Sequence, residues 1–224
     1  VEPEKPSHDF IVRMIIGDML EALVIVLLKA AKIEVKSQHQ KVSLGVGDRQ
    51  IEGEYDIELD DGIYDIKSVS PFSFTTKFNA DNGYDKIKQS DSFGYISQGH
   101  GYGMAANKPF KGWIAINKTT GEIVFTDAKH TNEEKKEVYS KIYNTSTALL
   151  DEKPFERCFT DVEEVYYSKP TGNRTLGIEC SYCPYKHDCW DNLEFRRQLP
   201  SKGKNPKWTW YTKIDPKWME ENVQ

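Results

Sequence analysis

The stretch IEGEYDIELDDGIYDIKS, Ile51 to Ser68, holds two runs in which apolar and charged residues alternate about an Asp-Gly, and near its end stands a single lysine, Lys67. Alternation of this kind marks strands buried on one face, and Asp61-Gly62 is a strong signal for a two-residue hairpin turn. With those two residues as the loop, Asp60 pairs with Ile63, Asp56 faces Lys67 and Glu58 faces Asp65. On the other side Ile57 meets Ile66 and Leu59 meets Tyr64. That register sends Ile57, Leu59, Tyr64 and Ile66 to one face and Asp56, Glu58, Asp65 and Lys67 to the other. The charged face then either looks at water, as antiparallel sheets commonly do, or forms a site.

The chemistry of a site follows from the residue types. Carboxylates a few ångströms apart repel unless one is protonated or a cation lies between them. A hard divalent ion such as Mg²⁺ or Mn²⁺ takes oxygen ligands and keeps several waters. A water acidified by such an ion and oriented by Lys67 is a nucleophile for phosphodiester hydrolysis. The Lys67 ammonium can also neutralise charge that builds on the phosphate.

Working outward, residues 8–32 are apolar nearly throughout and predict a long, mostly buried helix, with Ser7 as N-cap and Asp18 and Glu21 among its few polar positions. Residues 41–69 predict three strands and residues 71–85 a loop. A helix is expected over 86–106 despite Gly94, Gly99, Gly101 and Gly103, each of which costs about 1 kcal/mol relative to Ala inside a helix. Residues 112–128 predict a second hairpin through Lys118 to Gly121, and Glu133 to Leu150 a helix capped by Asn132. This order predicts an α/β fold with a central mixed sheet flanked by helices.

The chain has 224 residues, 38% hydrophobic and 29% charged, enough for one sizeable domain and a small appendage. A net charge of −5 supplies no global positive field to announce a nucleic acid, which leaves that task to local basic patches. The opening VEPEKPSHDF lacks the pattern of a secretory leader. The longest apolar run, Ala22 to Leu28, spans seven residues, too short for a bilayer. The expectation is a soluble cytoplasmic protein with no membrane partner.

Cys158, Cys180, Cys183 and Cys189 all fall in the last third of the chain. In an intracellular protein that clustering predicts a metal or cluster site rather than disulfides. A C-x2-C-x5-C triplet with one cysteine 22 residues upstream supplies four thiolates, which suit either a [4Fe–4S] cluster or tetrahedral zinc. His187 is an alternative fourth ligand. Between Arg196 and Lys217 there are seven basic residues and one acidic, Asp215, with Trp208, Trp210 and Tyr211 interleaved. Such a composition suits single-stranded nucleic acid, or equally a tail whose tryptophans pack back on the body.

Gly53-Glu-Tyr-Asp56, with Asp65-Ile-Lys67-Ser68 on the next predicted strand, is similar to the core of the PD-(D/E)xK nuclease superfamily. Gly17-Asp-Met-Leu-Glu21 resembles the first motif of its RecB-type exonuclease branch, with Glu where His is usual. Gln98-Gly-His-Gly-Tyr102 resembles the Gln-x-x-x-Tyr signature of the same branch. The cysteine triplet resembles that of the AddB-type and CRISPR-adaptation iron–sulfur nucleases, although their lone cysteine lies far upstream of the nuclease core and Cys158 lies downstream of the hairpin.

The resemblance implies a restriction-endonuclease-like core over 1–155, a cysteine-ligated segment over 156–192 and a basic aromatic tail over 193–224. It implies Asp56, Asp65 and the Ile66 carbonyl as ligands of Mg²⁺ or Mn²⁺, with Glu21 as a further ligand. Lys67 would activate the attacking water, and Gln98 and Tyr102 would steady the site or contact DNA. Cys158, Cys180, Cys183 and Cys189 would hold a structural [4Fe–4S] cluster, with Zn²⁺ as the alternative. The implied activity is that of a metal-dependent DNA exonuclease, of a kind used in phage replication, recombination repair and CRISPR adaptation. The rivals are a catalytically inactive DNA-binding scaffold of the same fold, a restriction-like endonuclease and a small zinc-containing regulator. The bland readings are Glu21 as a solvated helix position, Tyr102 as core, and Gln89 with Tyr95 in place of Gln98 with Tyr102.

Overall fold

In the computed structural model, described for residues 4–129, 131–151 and 157–219, the quoted stretch forms a hairpin whose turn comes one residue earlier than its Asp-Gly suggests. β1 (Ser37–Val46), β2 (Arg49–Leu59) and β3 (Gly62–Val69) run antiparallel in that order. Leu59 pairs with Gly62, Glu58 with Ile63 and Ile57 with Tyr64, so the loop is Asp60-Asp61. Gly62 serves another purpose. Its φ of +145° is one that side chains rarely adopt, and a Cβ there would sit 2.3 Å from the Pro109 carbonyl oxygen. The neighbouring Ile63 N–H donates to that same oxygen at 2.9 Å. The glycine therefore admits the incoming 107–109 segment, and the turn falls on the two aspartates. Each residue keeps its face but changes its partner. Continued one step past the Ile57–Tyr64 pair, this register sets Asp56 opposite Asp65 rather than Lys67.

β3 passes to β4 (Phe110–Asn117) in parallel, with Asp65 beside Trp113 and Lys67 beside Ala115. β4 then returns antiparallel to β5 (Ile123–Asp127), as the sequence predicts for this second hairpin. The sheet is mixed, with strand order β1-β2-β3-β4-β5. On one face α1 (His8–Ala30) sets Val24, Ile25 and Leu28 against Ile57, Tyr64, Ile66 and Ile114. On the other face lie the elements of the β3–β4 crossover. These are α2 (Pro71–Ser73), a π-helical turn (Phe74–Phe78), α3 (Gly83–Gln89) and α4 (Tyr95–Ala106). With α5 (Asn132–Leu150) they enclose Ile63, Val69, Phe78, Tyr84, Phe110 and Trp113.

Several expectations are corrected here. α1 is not mostly buried: Met14, Ile15, Met19 and Val26 are more than half exposed, because its second half alone meets the apolar rows of the sheet. The segment 71–85 is a run of short helical turns, begun by the Ser70 hydroxyl, which accepts from the Ser73 N–H at 3.2 Å. The helix expected over 86–106 is two helices, and the Asp91 carboxylate starts the second by accepting from Tyr95 N–H at 2.6 Å and Ile96 N–H at 3.0 Å. Its glycines have a packing reason: a Cβ on Gly99 would meet the Phe110 ring at 2.1 Å, so α4 can lie directly on β4. α5 is capped by Thr131, whose hydroxyl accepts from Glu134 N–H at 3.1 Å, and not by Asn132.

The chain divides into two compact units, residues 8–153 and residues 154–224 together with 1–7. The second contains β6 (Val162–Tyr166), β7 (Lys169–Thr175), α6 (Ile178–Ser181), α7 (Lys186–Cys189), β8 (Glu194–Arg197) and β9 (Trp208–Lys213). Its four strands form an antiparallel sheet in the order β6-β7-β9-β8. The sequence does not announce this sheet, because a strand such as KPTGNRT carries Pro and Gly and no large apolar residue. Among the described residues no helix is long and apolar enough to cross a membrane.

Candidate active site

Along β3 the side chains alternate between the two cores: Tyr64 and Ile66 face α1, while Ile63 and Val69 join the core under α4. Asp65 and Lys67 share the second row. The charged face is thus covered by α4 rather than wet, and Asp65 is 1% exposed. Lys67 Nζ lies 2.6 Å from Asp65 Oδ2, donates to Gln98 Oε1 at 3.1 Å and sits 5.1 Å from the centre of the Tyr95 ring. Gln98 Nε2 in turn donates to the Tyr102 hydroxyl at 3.1 Å. Gln98 and Tyr102 stand four residues apart on α4 and so share a face.

The Gly53-x-x-Asp56 spacing has two physical roles. A Cβ on Gly53 would lie 2.7 Å from the Tyr102 ring, so only glycine lets that ring rest on β2. Three residues on, Asp56 Oδ2 accepts from the Ile66 N–H at 2.5 Å, taking over where the paired ladder of β2 and β3 ends. Ile66 thus enters the site through its N–H, its side chain being buried toward α1. Glu21 reaches the same region from α1, its Oε1 3.5 Å from His39 Nδ1. That oxygen and Asp65 Oδ2 are both buried without an aligned hydrogen-bond partner.

His39 and Tyr95 are the residues that sequence reasoning did not assign. His39 falls on β1 between the Gln38–Ile57 and Gln40–Tyr55 pairs, level with Asp56, and has a positive φ of 51°. It also lies 3.5 Å from Glu54. Nothing in the polar run SQHQK marks it, and only the β1–β2 register reveals its place. In the sequence Tyr95 stands only as the partner of Gln89 in a rival pair. It belongs to the site together with Gln98 and Tyr102, as the ring against which Lys67 rests. His100 is core, 3% exposed and edge-on to Phe110.

The electrostatics follow from burial and crowding. Burial pushes Asp65 above the ordinary carboxylate range; Lys67 opposes this and Asp56 adds to it. Asp56 is raised by burial and by Glu21, against the pull of the Ile66 N–H. Burial also raises Glu21, with His39 opposing and Asp18 and Asp65 reinforcing. Burial pulls Lys67 down, but Asp65 outweighs it and the ammonium is held above its ordinary value. Three carboxylates are therefore each short of compensating positive charge, with one lysine among them.

The all-oxygen set of Asp56, Asp65 and Glu21 has the chemistry for a hard divalent ion and would hold it, with Asp65 Oδ2 facing only Lys67 and Glu21 Oε1 buried 3.5 Å from His39. Among the described residues no three His, Cys, Asp or Glu side chains surround a single point at ligating distance, so an ion here would complete its shell with water, as Mg²⁺ usually does. Beside the site runs an open groove of about 240 Å³, with Val42, Leu44 and Ile51 on one side and Gln98 and Tyr102 on the other.

The four cysteines lie apart from these residues in sequence and in the second unit. Cys180 is buried with Leu176 and Trp190, Cys189 packs against that cluster, and Cys158 is exposed. Arg157 donates to the Cys189 carbonyl oxygen and lies 3.8 Å from the centre of the Trp190 ring, which brings Cys158 to the end of the triplet. As placed, no three of the described thiols converge at metal-ligating distance.

No protein-family model matches the chain, and no curated protein does. Among solved structures, the crystal structure of SSO0001 is similar, with a TM-score of 0.43 and 16% sequence identity, over 79% of this chain and 70% of that one.

Proposed function

We propose that the 8–153 unit has a restriction-endonuclease-like core and works as a Mg²⁺- or Mn²⁺-dependent deoxyribonuclease that hydrolyses DNA from an end. The observation that carries this reading is the continuous chain Asp65–Lys67–Gln98–Tyr102, laid beside Asp56 and Glu21. When bound, the ion would supply Lewis-acid charge and an acidified water. Everything else falls to the protein. An ammonium has three donors. Gln98 takes one and Asp65 faces another, which leaves one for an attacking water or a phosphate oxygen. Asp65 keeps Lys67 charged, and Gln98 and Tyr95 restrict where that charge can sit. The groove beside Tyr102 offers an apolar wall for the sugar or base next to the scissile phosphate.

For the second unit the four thiols support a structural [4Fe–4S] cluster, with zinc the alternative. They do not converge as placed, so no step of the reaction is routed through them. Iron, sulfide and zinc content of anaerobically purified protein decides between the two.

The test of the activity is degradation of end-labelled linear single- and double-stranded DNA and of a closed circle, with Mg²⁺ or Mn²⁺ against EDTA and with Lys67→Ala as control. Metal-dependent loss of the linear substrates alone supports the exonuclease. Cutting of the circle favours an endonuclease. No cleavage under either metal would leave a DNA-binding scaffold.

A further inference from the structure

β8 and β9 pair so that Phe195 lies opposite Trp210 and Arg197 opposite Trp208. Strand alternation puts these four on one face, while Tyr211, at 1% exposure, anchors the other. The rings form a ladder, with Phe195 5.2 Å from Trp208 and 4.6 Å from Trp210 between centres, the first pair stacked. Arg197 lies 5.8 Å over Trp208 and Lys186 4.9 Å over Trp210. The inner end of the ladder is closed, since Trp210 packs on His187 at 5.2 Å and on the Cys180–Trp190 cluster. The outer end is open, with Phe195 50% and Trp208 54% exposed. β8 is also an edge strand.

Charge is concentrated on the same hairpin. From Phe195 to Ile214 there are six Lys or Arg and no Asp or Glu, in a chain of net charge −5. Lys202, Lys204 and Lys207 belong to the loop that joins the two strands. Of the two acids that flank this stretch, Glu194 is on the opposite face and paired with Arg196, and Asp215 lies 3.3 Å from Lys217.

We propose that this face of the β8–β9 hairpin binds single-stranded nucleic acid. Unpaired bases extend the stack outward from Trp208 and Phe195, and phosphates follow Arg197 and the loop lysines. Every base has a π-face, so stacking on such a platform tolerates any sequence. A duplex hides its base faces inside its own stack, so the ladder selects single strands. The inference rests on the nucleic-acid partner of the function proposed above and names the form that partner takes. It does not require hydrolysis.

The experiment is fluorescence anisotropy of labelled dT15, rU15 and a 15-base-pair duplex with the full chain, in EDTA so that nothing is cleaved. Wild type is expected to bind a single strand at least roughly tenfold tighter than the duplex. Trp208→Ala is expected to weaken single-strand binding by about tenfold or more, in line with the loss of one stacked base, and Trp208→Phe to recover most of it. Arg197→Ala should reduce the salt slope by about 0.7, one phosphate contact on a single strand. Tighter binding of dT15 or of rU15 assigns DNA or RNA, and either sustains the proposal. Binding by Trp208→Ala at wild-type affinity, with an unchanged far-ultraviolet circular dichroism spectrum, overturns it, and so does a preference for the duplex. Degradation of the same oligonucleotides in Mg²⁺ or Mn²⁺, measured beside the binding assay, separates the two readings. If wild type binds through Trp208 in EDTA but cleaves nothing with either metal, the hydrolytic reading falls and the hairpin stands. If wild type cleaves but Trp208 is indifferent, the reverse holds.

Discussion

Asp65 in the first unit and Glu164 in the second are both nearly withdrawn from solvent, at 1% and 5% exposure, yet their surroundings are opposite. Glu164 accepts from Thr171 Oγ1 at 2.9 Å, Asn173 Nδ2 at 2.8 Å and the Tyr211 hydroxyl at 2.9 Å, all of them buried groups. It ties β6, β7 and β9 together, and both of its oxygens are taken by donors of the fold. Asp65 has a lysine close by, a buried oxygen without an aligned donor, and Asp56 and Glu21 within electrostatic reach. Burial alone does not mark a functional carboxylate. A saturated one holds a fold together, whereas an undersatisfied one among others of its kind is held ready for something that comes and goes.

The largest expected effect is on chemistry. Lys67→Ala should lower DNA cleavage per folded molecule by roughly a thousandfold or more, within the range for removal of an electrostatic catalytic group, with DNA binding in EDTA little changed and the melting temperature lowered because Asp65 loses its buried partner. A rate within tenfold of wild type would remove Lys67 from the mechanism. Next comes the saturated carboxylate. Glu164→Ala leaves Asn173 Nδ2 and the Tyr211 hydroxyl without their acceptor, while Thr171 Oγ1 keeps the residue 164 carbonyl oxygen; it should cost about 3 kcal/mol of stability, read by urea denaturation of the second unit, while cleavage per folded molecule stays as in wild type. If Glu164→Ala were harmless and Asp65→Ala strongly destabilising, the contrast between the two carboxylates would be the wrong way round.

A third effect has the opposite sign. Asp56, Asp65 and Glu21 are raised in the fold, so the folded state binds protons more tightly than the unfolded chain. Their contribution is present below the ordinary carboxylate range and is lost as pH rises through the raised values toward neutrality. The metal-free protein should therefore lose stability over that window, and Mg²⁺ should raise the melting temperature at pH 7.5 but hardly at pH 5. Asp56→Asn, which keeps an acceptor for the Ile66 N–H, should stabilise the metal-free protein at pH 7.5 by about 1 kcal/mol while abolishing cleavage. A melting temperature that rises with pH across this range in the absence of metal would count against the crowded-carboxylate account.

The smallest effect tests positioning. Gly53→Ala must shift the Tyr102 ring and, through Gln98, the lysine. A severalfold loss of kcat is the expected outcome. An unchanged kcat would show that Tyr102 packs without positioning anything.

Much of this was legible in the sequence because short-range rules govern it. Alternation over Ile51 to Ser68 defines two strands and which residues share a face. The spacing from Gln98 to Tyr102 is one helical turn, and Glu21 lies on a helix that its apolar content alone predicts. The second hairpin reads the same way, from two apolar runs joined by a glycine-bearing turn. What failed were statements that depend on a distant neighbour. The Asp-Gly rule misplaced the turn because Gly62 answers to Pro109, a residue 47 positions further along. The glycines of α4 weigh against a helix by propensity alone, and their reason lies in Phe110, which packs beneath Gly99. The second sheet was missed because its strands are held by the buried Glu164 network and by pairing of β7 with β9, and neither leaves a hydrophobic period.

By itself, then, the sequence determined the strands and long helices of the first unit, their amphipathic faces and the residue types of a carboxylate–lysine site, since these depend on φ/ψ preferences and on periods of two and of about four residues. Tertiary structure decided which charges meet. Asp56 stands opposite Asp65, Lys67 leans on Gln98 and Tyr95, His39 comes level with Asp56, and Glu164 is quenched while Asp65 is not. Each of these turns on contacts between residues far apart in the chain, and the strength of a buried charge depends on what lies within a few ångströms of it, which only the folded chain specifies.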